Sequence, residues 1–164
     1  VAGGNPRPIL DATANIAGGA ALSGRPGVYK GAGGISGVLV AYSLPPEPNN
    51  LNEDGPAHVS FWDGLEINPD GSSVGDLTVF RHTIRMQLCL ALGRSEIPTA
   101  LGLAVAFVPL YVAAFAAKTV LAGVWTNAEL RRTPGIVESI YPDRLCLEWF
   151  LTVTQKEAVT YGAA

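Results

Sequence analysis

The chain has 164 residues, a net charge of −3, 48% hydrophobic residues and only 15% charged residues. That length suits one domain, 1–164, with a core of useful size. The mild acidity argues against a general nucleic-acid binder, which shows a basic patch or stripe.

Residues 1–24 hold Arg7 but no compact apolar run, so no signal peptide is expected. Residues 8–17 predict a modest helix on which Ile9, Ile16 and Ala20 share a face, weakened by Gly18-Gly19. Residues 31–37 are very rich in glycine. The third glycine of a dinucleotide fingerprint starting at Gly31 would fall on Ser36, and no phosphate-loop motif occurs anywhere. A flexible connector is therefore expected, and residues 1–37 form a helix plus Gly-rich connector. Residues 38–43 predict a first strand, which Leu44-Pro-Pro-Glu-Pro ends.

Ala57, Val59 and Phe61 alternate with His58, Ser60 and Trp62, as a second strand requires. Residues 62–76 contain the turn signal Asn68-Pro-Asp-Gly-Ser-Ser and read as a long hairpin arm. A long third strand follows over 77–90. Its even positions Phe80, Ile84, Met86, Leu88 and Leu90 are apolar, while Arg81, Thr83, Arg85 and Gln87 are polar. It therefore has one dry and one wet face.

The period then changes. Ile97, Leu101, Val105, Val108, Val112 and Phe115 recur at steps of three and four, so a helix should cover the dry face of the sheet. Ser95 is the expected N-cap, and Pro109 is expected to kink the helix. The other side carries Leu103, Phe107, Leu110 and Tyr111, and no charge lies between Glu96 and Lys118. A helix that is apolar all round needs a second surface to cover it, so these four residues are the candidate subunit interface. Residues 97–117 are also long enough to span a bilayer. Pro98, Pro109 and the strands on both sides argue against that, because a span between two strands would tear their sheet apart. No membrane is expected.

Residues 129–132 and 136–141 read as short strands joined at Thr133-Pro134-Gly135. In the last strand Leu145, Leu147, Trp149, Leu151 and Val153 face one way. Cys146, Glu148, Thr152 and Thr154 face the other, where Arg81 or Arg85 could pair with Glu148. The tail after 158 reads as frayed. The fold class is α+β: a mostly antiparallel sheet with the long apolar helix and the N-terminal helix packed on one face.

Nothing in the sequence reads as chemistry, so no catalytic residue, cofactor or metal is expected. His58 and His82 stand mid-strand without the ligand spacing of a zinc site. Ser60, Ser95 and Ser139 lack a nucleophile-elbow context. Asp54, Asp63, Asp70 and Asp76 read as turn residues, and the spacing of a calcium loop is absent. Cys89 and Cys146 read as reduced, half-buried thiols, with a disulfide between neighbouring strands as the alternative. The arm is the candidate partner or channel contact, through Trp62, Glu66, Asp70 and Asp76. Its acidity would let DNA slide past without binding.

The order of elements resembles the tail terminator (tail completion) proteins of long-tailed bacteriophages. The resemblance rests on Tyr42-Ser-Leu-Pro-Pro, Pro56-Ala-His-Val, Arg81-His-Thr-Ile-Arg-Met-Gln-Leu, the long helix, and Tyr141-Pro-Asp-Arg-Leu-Cys-Leu-Glu-Trp-Phe-Leu-Thr-Val. It implies a homo-oligomeric ring, usually a hexamer, that ends the tail tube at its head-proximal end within the virion. It also implies contacts with the tail tube protein and with head-completion or connector proteins, and DNA passing through the channel. Another head–tail connector or minor tail protein is the alternative, and a single-span membrane protein ranks below it.

Overall fold

A computed structural model describes residues 4–51, 55–69, 77–141 and 143–158. The chain order is α1 (Arg7–Gly18), β1 (Val28–Tyr29), β2 (Val40–Tyr42), β3 (Ala57–Ile67), β4 (Leu77–Cys89), α2 (Ile97–Ala116), β5 (Asn127–Glu138) and β6 (Leu145–Ala158). Among the described residues the strands form one sheet in the order β1-β2-β3-β4-β6-β5. Every pairing is antiparallel except β2 with β3. This is the expected α+β fold. The residues after 158 lie outside the described ones.

The strict alternation of β4 sets the layers. Ile84, Met86, Leu88 and Leu90 are fully buried on the helix side. In register with them, Leu147, Trp149, Leu151 and Val153 of β6 continue the same dry surface. Helix α1 packs over β2 and β3, and α2 over β5 and β6. A smaller core lies on the opposite face, where Val40, Tyr42, Leu51, Ala57, Val59, Cys89, Tyr141 and Cys146 cluster. There the Tyr141 hydroxyl donates to the Pro46 carbonyl at 2.8 Å, tying the proline-rich loop to the sheet. The rest of that face is more open. A row across four strands alternates Phe61, Arg85, Phe150 and Arg132. Each guanidinium lies over a ring, Arg85 over Phe61 at 4.6 Å and Arg132 over Phe150 at 4.8 Å. Arg85 also stands 3.7 Å from Glu148, one of the two pairings expected for that carboxylate. That distance is ionic contact and too long for a hydrogen bond, which is why Arg85 Nε has no acceptor.

Several local expectations are corrected. The Gly-rich segment is packed against the end of α1: Gly31 N–H donates to Gly18 and Ile35 N–H to Ala17. A Cβ on Gly18 would stand 2.5 Å from the Tyr29 carbonyl oxygen, and one on Gly34 would stand 2.6 Å from Gly18 backbone. These glycines permit close backbone approach, where a flexible connector was expected. The two short strands around Thr133-Pro134-Gly135 are one irregular strand, β5, with register shifts at Leu130–Arg132 and Arg132–Gly135. Its edge position and bulges tolerate Pro134. Ser95 is not the N-cap of α2. It lies inside a 3₁₀ turn over Arg94–Glu96, and Glu96 reaches back to the Gly93 N–H at 3.0 Å. The helix continues through Pro109 to Ala116.

Both helices are tied to the sheet by one buried chain of hydrogen bonds, whose directions can be deduced. Thr13 Oγ1 donates to the Leu10 carbonyl at 2.8 Å. Its oxygen then accepts from Ser60 Oγ at 2.8 Å, and Ser60 accepts from His58 Nε2 at 3.0 Å. His58 Nδ1 is left as the acceptor for the Tyr111 hydroxyl at 2.8 Å. Every member is satisfied and His58 is held neutral. Burial pushes its pKa from the ordinary 6.5 down to about 3.

This fixes the sign of an acid effect. As pH falls through 6.5 the unfolded chain takes up a proton at His58 that the folded chain refuses. The stabilisation is complete above pH 6.5 and is lost progressively towards pH 3, with a limiting slope of about 1.4 kcal/mol per pH unit. Denaturant melts between those pH values should show this slope, and His58→Asn should be less stable but flatter. Tyr111→Phe removes the donor to Nδ1 and should lower stability by about 1–3 kcal/mol at neutral pH.

Candidate functional site

Helix α2 buries Ala100, Ala104, Phe107, Tyr111 and Phe115. The spacing is helical, as expected, but the stripe is a different one. Of the residues expected to cover the sheet, Phe115 alone is fully buried and Val108 is half-buried. Ile97, Leu101, Val105 and Val112 face outward. Of the candidate interface residues, Phe107 and Tyr111 belong to the chain's own core, while Leu103 and Leu110 are exposed. Two physical reasons select this face. Alanines 100 and 104 let the helix backbone approach closely, and the Tyr111 hydroxyl needs a partner, which it finds in His58. Tyr111 also stacks between His58, Phe115 and Trp149. The tyrosine hydroxyl was the one signal in the sequence that could have set the rotation of the helix.

The outward face is left uncovered. Ile97, Leu101, Leu103, Val105, Leu110 and Val112 are between 39% and 61% exposed along a single 20-residue helix. Scattered exposed apolar residues are ordinary; here they form two rows flanking the buried stripe, Ile97, Leu101, Val105 and Val112 on the side of β5 and Leu103 and Leu110 on the other, and so many on one helix mark an interaction surface. Beside it, between α2 and β5, lies a cleft of about 480 Å³. Val108, Val112, Phe115, Ala128, Leu130 and Trp149 line it, with Arg131 and Arg132 among its polar residues. The Trp149 indole N–H is buried and has no acceptor.

The base of the arm is the second feature. A bulge between Trp62 and Leu65, with Gly64 at φ +99°, twists β3 at this point. Trp62 is 47% and Ile67 61% exposed, and Asp63 and Glu66 are exposed beside them. Glu66 lies opposite Arg81 in the ladder. Asp70 and Asp76 lie outside the described residues, as does Asp54. Trp62 is also held from below. Its indole N–H donates to His82 Nδ1 at 3.1 Å, so His82 carries its proton on Nε2 and gives it to Gln155 Oε1 at 3.1 Å. The Gln155 amide in turn donates to the Val124 carbonyl at 3.0 Å. Desolvation lowers the His82 pKa, keeping the imidazole neutral as this chain needs.

The remaining titratable groups are placed in ways that do not converge. His58 and His82 sit in separate hydrogen-bond chains. Among the described residues no group of three or more His, Cys, Asp or Glu could hold a metal ion. Cys89 and Cys146 are register partners on β4 and β6, and both are free and buried. Burial raises both thiol pKa values, which keeps them protonated and unreactive. Ser139 lies 3.5 Å from the Cys89 sulfur, with no histidine in the contact.

No protein-family model matches this chain, and no curated protein matches it.

The two faces of α2 should respond oppositely to substitution. Val105→Glu on the outward face should change the stability of the isolated chain by no more than about 0.5 kcal/mol. Ala104→Leu, which forces the helix off the sheet, should cost about 1–3 kcal/mol. Urea denaturation of the two variants beside the wild-type chain measures both.

Proposed function

We propose that this chain is a structural virion protein that forms a ring at the head-proximal end of a phage tail tube. There it ends tube growth and joins the tail to the head connector. The observation that carries this reading is the uncovered apolar face of α2. Burying one large aliphatic side chain is worth about 1.5–3 kcal/mol, so six partly exposed ones on one helix offer several kcal/mol to an association. A neighbouring copy in a ring supplies such cover. The sequence resemblance to tail terminators supplies the setting, with partners in the tail tube protein and the head-completion or connector protein. The acidic arm then stands beside the path of DNA, which it repels and does not bind.

Helix α2 also has the length and apolarity to cross a bilayer, with a mean hydropathy of 2.0. Crossing would strip it from its sheet, expose Trp149 and Leu151, and leave Tyr111 and His58 without each other. The ring reading keeps every one of these contacts and covers only what is bare.

Imaging of intact tails is the decisive measurement. A closed ring of this chain is expected on the tube end nearest the head, and virions assembled without it should carry tubes of unregulated length. Density for the chain elsewhere on the tail would favour another connector or minor tail protein. A chain absent from virions would refute the assignment.

A further inference from the structure

The arm base and the α2–β5 cleft lie on opposite flanks of the sheet, since β4 and β6 separate β3 from β5. Their chemistry is complementary. The arm offers two exposed apolar side chains, Trp62 and Ile67, beside two exposed carboxylates, Asp63 and Glu66. The cleft offers apolar walls from Val112 and its neighbours, and Arg131 and Arg132 of β5 stand at its rim, with the Arg132 guanidinium turned over Phe150 on the opposite face of the sheet. Glu129 pairs with Arg131 at 3.0 Å and offsets one of these charges, so the three rim residues together remain positive. Arg132 is braced against Phe150, which holds its charge in place at the edge of the sheet.

We propose that the arm base of one copy seats in the α2–β5 cleft of the next. This deepens the ring reading and rests on it. The contact joins two different surfaces, so each copy keeps one free arm and one free cleft, and a closing rotation produces a ring. The charges also disfavour the symmetric alternatives. Cleft against cleft brings Arg131 and Arg132 onto their own copies, and arm against arm brings Asp63 and Glu66 together. The same contact covers Val112 and extends along its flank of α2 towards Val105 and Leu101.

The test uses the full chain, with assembly followed by native mass spectrometry and sedimentation over a range of concentrations. One variant carries Asp63→Arg and Glu66→Arg, and a second carries Arg131→Glu and Arg132→Glu. Each alone sets like charges face to face and should need a concentration about tenfold or more above wild type to assemble. Mixed together, each supplies what the other lacks, and rings of alternating subunits should return. Ile67→Asp and Val112→Asp change only exposed side chains, so both should keep the wild-type melting temperature while losing assembly. Single charge variants that fail, with no recovery on mixing, overturn the pairing. Assembly that persists in all four variants also overturns it, but leaves the ring itself standing. A wild-type chain that stays monomeric at every concentration overturns the pairing too, and the ring on tails is then decided by imaging alone.

Discussion

The hydroxyl of Tyr111 and the imidazole of His58 hold the molecule in its arrangement. Tyr111 sits in the C-terminal half of a helix that carries no charge, and its hydroxyl is the only side-chain hydrogen-bonding group on the buried stripe. A fully buried hydroxyl without an acceptor is expensive, so the helix must turn that residue towards a partner. His58 accepts a hydrogen bond from that hydroxyl on one nitrogen and donates from the other to Ser60, which donates in turn to Thr13 of the other helix. One polar chain therefore fixes how both helices sit on β3. In an otherwise oily interior this gives a unique arrangement where apolar packing alone would accept several.

What that arrangement leaves outside follows directly. With Ala100, Ala104, Phe107, Tyr111 and Phe115 turned in, the branched residues of α2 must turn out. Helix α2 thus hides all three of its aromatic residues and displays isoleucine, leucine and valine. Such a surface is stable in water only at a cost in solubility, which an assembling subunit recovers when a neighbour covers it. In the proposed ring, Asp63 and Glu66 on one flank and Arg131 and Arg132 of β5 on the other would give that neighbour a direction.

The sheet was legible because its two longest strands each have a dry face and a wetter one. Period two in β4 and β6 assigns every side chain to a face, and their register brings Arg85 beside Glu148 as expected. The Gly-rich segment misled for a different reason. Glycine signals both freedom and close approach, and only the packing of Gly34 on Gly18 distinguishes the two. Pattern alone divides the edge strand β5, because Pro134 ordinarily ends a strand; at an edge the lost N–H can face away from the ladder.

The sequence by itself determined the α+β class, the pairing faces of the long strands, the existence of α2 and the fact that it carries more apolar surface than one sheet face can cover. Which side of α2 stays bare was decided only in three dimensions. A helix with apolar residues all round has no preferred side in its own pattern. The choice was made by contacts distant in sequence: the room that two alanines leave above the sheet, and a histidine on another strand waiting for a tyrosine hydroxyl.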